Sequence, residues 1–150
     1  KLFTTVDGKP YDSQRKSTGM FWGDMYAMDR YGNLFVRAPV TDPNASYFNH
    51  SSFNAGNEVI CAGMIVFDKG RLLHIDNMSG HYKPDRKALH SCLLALNDQG
   101  GWVDEVRVGV FTGDDMKFYL GAEFLRAPDR VEPSWDDRWN DSRKLPKVLT

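Results

Sequence analysis

Cysteine is nearly absent from this sequence. Cys61 and Cys92 are the only two among its 150 residues. Two thiols build no disulfide framework and supply too few ligands for a structural zinc site. Cys61 sits in Val59-Ile60-Cys61-Ala62 and Cys92 in Ser91-Cys92-Leu93-Leu94, so two buried free thiols are expected. Long apolar runs are lacking too. No stretch approaches the roughly 18 apolar residues of a membrane-spanning helix. No signal-peptide pattern opens the chain, and Lys1 stands where a start Met would, as in an excised domain or a processed product. Neither sign of charge is in excess: 19 basic and 20 acidic side chains leave a net charge of -1. A broad nucleic-acid footprint needs a basic surplus and is therefore not expected. The signatures of several chemistries are also missing. There is no G-x-S-x-G elbow, no phosphate-binding P-loop, no H-E-x-x-H and no EF-hand loop.

What is present is ordinary in bulk. Hydrophobic residues make up 41% and charged residues 26%, the balance of a globular chain long enough to bury one core. We read residues 1–150 as one domain, with a polar lead-in over 1–19, a core over 20–127 and a tail over 128–150. The tail carries Pro128, Pro133 and Pro146, and Trp135 and Trp139 are expected to dock it. Ser134 is placed to cap a short helix there.

Within the core, Met20 to Met28 and Leu34 to Arg37 flank a Gly32-Asn33 turn and predict a hairpin. Val59 to Phe67 is a continuous apolar run, as in a strand covered on both faces. Asp68-Lys69-Gly70 then predicts a tight turn. Arg71 to Asp76 returns as a strand, with Leu73 and Ile75 on one face and Leu72, His74 and Asp76 on the other. Ala88, Leu89, Cys92, Leu93 and Leu96 recur at helical spacing, so an amphipathic helix is predicted over 85–98, ended by Gly100-Gly101. Glu105 to Phe111 alternates valines with Arg107 and Gly109, and Met116 to Phe124 reads as a last strand weakened by Gly121. The predicted class is α+β: a mainly antiparallel, twisted sheet with one clear helix.

Two polar clusters bracket the apolar hairpin: Asn49-His50-Ser51-Ser52-Phe53 before it and Ser79-Gly80-His81-Tyr82 after it. Buried hydroxyls and imidazoles need hydrogen-bond partners, so such clusters mark either a site or a pair of closed turns. As a site, His50 suits proton transfer or a ribose hydroxyl, and Ser51 and Ser52 suit a phosphate or the histidine tautomer. His81 and Tyr82 precede a helix start, where backbone N–H groups favour an anion. The hairpin is expected to bring His50 and Tyr82 to one cleft. Carboxylate candidates are Glu123, Glu105, Asp76 and Glu58, with Glu123 preferred for its late strand-like segment. No metal site is expected. Without a metal motif the enzyme readings are ribonuclease-like acid–base chemistry by His50 and His81, or chemistry on a nucleotide cofactor.

The pair of clusters, together with Ala55-Gly56, Ala62-Gly63, Gly70 and Pro84, resembles a stretch of plant IQ-motif calmodulin-binding proteins. It also resembles C-terminal toxin domains of bacterial polymorphic toxins of the Rhs type. The resemblance covers roughly residues 25 to 110. Asn54 and Asn57 depart from it, and no IQ motif is present, so calmodulin binding through one does not carry over. The toxin resemblance implies an ADP-ribosyltransferase of the His-Tyr-acid type that uses NAD. His50, Ser51, Ser52 and Tyr82 would then bind NAD, with Tyr82 stacked on the nicotinamide, and His81 and Glu123 would be catalytic. It further implies a secreted or injected effector acting in a target-cell cytoplasm on an unidentified macromolecule, with a cognate immunity protein and no membrane partner. The plant resemblance implies instead a non-catalytic, protein-binding module.

Overall fold

Among the described residues, six strands form one sheet in the order β2-β1-β3-β4-β5-β6, and two helices join it in an α+β fold. The strands are β1 (Asp24–Asp29), β2 (Leu34–Arg37), β3 (Val59–Asp68), β4 (Arg71–Asp76), β5 (Arg107–Phe111) and β6 (Met116–Leu120). The helices are α1 (Arg86–Asp98) and α2 (Gly121–Arg126). This computed structural model describes residues 2–13, 23–37, 58–79 and 82–135.

Neighbouring strands are antiparallel throughout, except β4 and β5. That parallel pair follows from α1, which carries the chain back between them as a crossover. Asp85 caps α1 by accepting from the Ala88 N–H at 2.8 Å. The inward stripe of α1 is Leu89, Cys92, Leu93 and Leu96, as its spacing predicts. It packs on Tyr26, Cys61, Ile65 and Ile75 from the central strands, with Phe124 of α2 in the same core. β3 and β4 turn through Lys69 and Gly70, both at positive φ. A Cβ at Gly70 would also lie 2.9 Å from the Phe3 carbonyl oxygen. Phe3 is held there because its N–H donates to the Gly70 carbonyl while the Gly70 N–H donates to Tyr11. The rings of Phe3 and Tyr11 both rest on Phe67.

Two bulges shape the sheet. Asp29 faces Val59 and Met28 faces Cys61, which leaves Ile60 as an extra residue in β3. Val66 faces His74 and Phe67 faces Leu72, which leaves Leu73 extra in β4. The second bulge corrects the expected facing of β4. Leu72 joins Ile75 in the helix-side core, and Leu73 packs with Val66 on the opposite face. An added residue moves every side chain before it to the other side of a period-two strand. The last predicted strand also divides. β6 ends at Leu120 and α2 opens at Gly121, a position that takes glycine because a Cβ there would meet the Val103 carbonyl oxygen at 1.8 Å. β5 begins at Arg107 rather than Glu105.

The segment after α2 crosses the edge of the sheet. The Arg86 guanidinium donates to the carbonyls of Pro128 and Arg130 and to the Tyr119 hydroxyl. Tyr119 in turn donates to the Val131 carbonyl. Ser134 does not cap a helix within the described residues; its Oγ accepts from the Leu120 N–H, and its own N–H and that of Trp135 reach the Phe118 carbonyl. Trp135 then packs on Val66 and Leu73, on the face away from α1. Trp139 lies outside the described residues.

Candidate functional site

The strongest concentration of acid, base and cation among the described residues is in the middle of the sheet, on the face away from α1. His74 and Asp76 are two apart on β4 and so project to one side. Their register partners on β5 are Arg107 and Gly109. The Nε2 of His74 lies 2.8 Å from Oδ2 of Asp76. The Nε of Arg107 donates to Nδ1 of His74 at 3.0 Å. A guanidinium only donates, so Nδ1 is the accepting nitrogen and the neutral ring carries its proton on Nε2, pointed at the carboxylate. Arg107 and Asp76 thus lie on opposite sides of a neutral imidazole. Burial, and then the Arg107 charge, hold the His74 pKa down to about 4, against the opposing pull of Asp76.

Asp76 is a junction between both faces. Its Oδ1 accepts from the backbone N–H of Met64 and of Met78, each at 2.9 Å. Its backbone carbonyl accepts the Tyr26 hydroxyl at 2.6 Å, from the helix side. Tyr26 reaches it across Gly63, where a Cβ would lie 2.1 Å from the same carbonyl oxygen. Gly109 performs the matching role on β5, since a Cβ there would crowd Met116, Asp76 and His74. Phe118 faces Gly109 across β6, and its ring centroid lies 4.8 Å from the Arg107 guanidinium carbon. His74, Asp76 and Arg107 all have 0% exposure. The trio is a closed polar node. No group of three or more metal-ligating side chains occurs among the described residues.

The sequence points to different residues. His50, Ser51, Ser52 and His81 lie outside the described residues, so the expected meeting of His50 with Tyr82 lies outside them too. Tyr82 is described and part-buried; its N–H donates to the Ser79 hydroxyl, which closes a turn. Asn77, at the front of the same stretch, staples the Phe111 N–H and the Pro84 carbonyl. The described part of the second cluster therefore closes the connection into α1. Asn77 also lies beyond the end of β4, two residues past the pairing of Ile65 with Ile75, while β3 runs back to Val59. The hairpin is uneven and its open end is not where equal strands would put it. Glu123 stands in α2 rather than on a returning strand, bonded to Arg126 and 3.6 Å from Arg130. Glu58 pairs with Arg30 at the surface, and Glu105 is exposed. Asp76 alone of the four carboxylate candidates enters the node.

His74 and Arg107 are the members that sequence reading passed over. The signal was present as His-x-Asp on a strand, and as an arginine alternating with valines beside a glycine. Period-two alternation marks a face but does not say whether that face is covered.

Comparison with known proteins supplies the family. The profile described as "IQ motif-containing protein middle domain" matches residues 1–89. The chain is 30% identical to the IQ domain-containing protein IQM3 of Arabidopsis thaliana over 108 residues, covering 72% of this chain and 22% of that protein. It is 31% identical to the IQ domain-containing protein IQM2 of Arabidopsis thaliana over 72 residues, 48% of this chain and 12% of that protein. The chain thus spans less than a quarter of either relative. No solved structure matches it. These relatives overturn the bacterial reading: the Rhs-type toxin resemblance, the ADP-ribosyltransferase activity and the secreted or injected effector all fall with it. The His-Ser-Ser and Ser-Gly-His-Tyr stretches led there because short polar motifs recur in unrelated contexts, while a match along 89 residues does not. The chain belongs to the IQ motif-containing protein middle domain family.

Proposed function

We propose that this chain is a non-catalytic, protein-binding module of an IQ-motif protein. The observation that carries the reading is the closure of the node. His74, Asp76 and Arg107 have the residue types of acid–base chemistry, yet none has any exposed surface. A general acid or base must lie within hydrogen-bond reach of its substrate, whereas His74 is hydrogen-bonded to Asp76 and Arg107, and Asp76 also holds the Met64 and Met78 N–H groups. Their chemistry is structural: they fix the register of β3, β4 and β5. The family supports the same conclusion, since its relatives carry IQ domains in their names. Proteins of that kind suggest calmodulin-type partners. Residues 1–150 contain no IQ motif, so we assign calmodulin contact to other parts of such a protein and a separate protein contact to this module. Tyr31 at 74% exposure and Trp102 at 71% are the residues suited to anchor it. No helix among the described residues is long and apolar enough to cross a membrane.

The test is calorimetric titration of calmodulin into the folded chain, with and without calcium. No binding tighter than about 10 μM is expected; a tighter complex would overturn the division of roles. A parallel assay for nicotinamide release from NAD should stay at the buffer rate. Turnover that is lost in His81→Ala would restore a catalytic reading.

A further inference from the structure

After α2 the chain runs as a strap, residues 127–135, past the outer edge of β6. Among the described residues β6 is the outermost strand on its side of the sheet, and an outer row of N–H and C=O groups has to be covered or paired. The strap covers it, with an irregular fit. The N–H groups of Ser134 and Trp135 share one acceptor, the Phe118 carbonyl, at 3.2 and 3.3 Å. The Leu120 N–H, two residues on, finds the Ser134 hydroxyl rather than a main-chain carbonyl. An added antiparallel strand would instead exchange both main-chain bonds with each outward residue, at roughly 2.9 Å. The side-chain anchor of the strap is Trp135, which packs on Val66 and Leu73 on the face away from α1. Between its two ends, residues 129–133 are exposed.

Main-chain bonds to a sheet edge, with one side chain seated on an apolar shelf, are the two parts of recognition by strand addition. We propose that the outer edge of β6 is a docking site for an extended segment of a partner protein, and that residues 127–135 hold it in cis as a removable stand-in. The chemistry of the partner follows from the seat. Its segment pairs its main chain with Phe118 and Leu120. It also carries an aromatic side chain long enough to reach over the face to Val66 and Leu73, as Trp135 does. A charged side chain is excluded there, because that shelf is apolar. The proposal rests on the reading of the chain as a protein-binding module, and it adds a contact separate from Tyr31 and Trp102.

The two ends of the strap are held differently. At its root the Arg86 guanidinium donates to the Pro128 and Arg130 carbonyls, and the Tyr119 hydroxyl donates to the Val131 carbonyl. The docking end rests on the shared Phe118 carbonyl, the Ser134 hydroxyl and the Trp135 ring. That end can lift by local opening while the root stays in place. Because it is tethered, it competes at an effective concentration on the order of millimolar. Weak or mismatched segments are turned away, and a partner gains entry by pairing with β6 more regularly than the strap does.

The experiment uses the full chain and a fluorescein-labelled synthetic peptide with the sequence of residues 127–136. Trp135→Ala in the full chain vacates the shelf and leaves the edge of β6 in place. In fluorescence anisotropy that variant should bind the peptide saturably, at least about tenfold more tightly than the unchanged chain, where the tethered strap competes. The same peptide carrying Trp135→Ala should bind neither chain. If the Trp135→Ala chain does not fold, Arg86→Ala, which loosens the root, takes its place with the same expectation. Hydrogen exchange on the unchanged chain gives a second reading. The N–H groups of Ser134 and Trp135 should exchange at least about 100-fold faster than that of Val108, by an opening that leaves the sheet folded. Three results would overturn the proposal: no peptide binding by the folded variant, equal binding of the two peptides, or strap N–H groups that exchange only with global unfolding. None of these readouts involves calmodulin or nicotinamide release, so their failure removes the docking edge and leaves the module reading to its own assays.

Discussion

His74 is neutral because its surroundings leave no room for a second ring proton. Its Nδ1 already accepts from Arg107 and its Nε2–H already points at Asp76. The folded pKa of about 4 lies below the ordinary value of 6.5. The sign follows: between those values the unfolded chain binds a proton that the folded chain refuses, so stability falls as pH drops from 6.5 to about 4 and levels off below that. Above 6.5 both states are neutral and the group is silent. The span corresponds to about 3 kcal/mol. Urea unfolding measured across that window, in the unchanged chain and in His74→Gln, should show a shallower slope in the variant by one proton. Equal slopes would mean that His74 is charged in the fold. Asp76→Asn tests the same node from the other side. With its oxygen kept on the Met64 and Met78 N–H groups, the Asn amide would donate toward Nε2 while Arg107 donates toward Nδ1. A neutral ring carries a proton on one of them, so one bond is lost whichever way it sits. Arg107 also loses its counter-charge in a dry interior, and the expected cost is about 3 kcal/mol in chemical denaturation.

At the scale of elements, α1 and the apolar β3 were legible because each buries a pattern that repeats locally: Leu89, Cys92, Leu93 and Leu96 in the one, a continuous apolar run in the other. The breaks in pattern were not legible. Leu73 is a bulge only because Val66 and Phe67 are both already paired, which is a fact about two strands rather than one. Residue 121, at the start of α2, is a glycine because the Val103 carbonyl occupies the space a Cβ would take, and Val103 is 18 positions away in the sequence. The terminal strap is likewise a tertiary matter. Its anchor is Arg86, which hydrogen-bonds two carbonyls of the strap and the hydroxyl of Tyr119 while its guanidinium lies 5.0 Å from that ring's centroid. Arg86→Ala should free the strap at a cost of about 1–2 kcal/mol. Trypsin should then cut after Arg126 and Arg130 well before the sheet unfolds. Arg86→Lys should rescue little, because an ammonium lacks the planar fork that serves several acceptors at once. Unchanged proteolysis in both variants would place the anchor elsewhere.

For the whole molecule, the fold class could be read from residues, and the node could be read only in part. His74 and Asp76 stood on one predicted face, but the cover over that face comes from Phe118 and from Trp135 packing on Val66 and Leu73 nearby, segments distant in sequence. The parallel join of β4 to β5 has a consequence for the order of events in folding. β1, β3 and β4 can associate as an antiparallel set, whereas β5 reaches its place only after the 30-residue excursion through α1 that separates Asp76 from Arg107. Closing that longer loop comes before its contacts repay it. Arg107 also cannot leave water until His74 and Asp76 are there to receive it. β5 should therefore join after the rate-limiting step. Val108→Ala, in stopped-flow measurements, should speed unfolding and leave the folding rate nearly unchanged; a slowed folding arm would put β5 in the nucleus instead. A nascent chain would accordingly hold an exposed flank along β4 until synthesis has passed β5, and that interval is when this sheet is most open to pairing with the wrong strand.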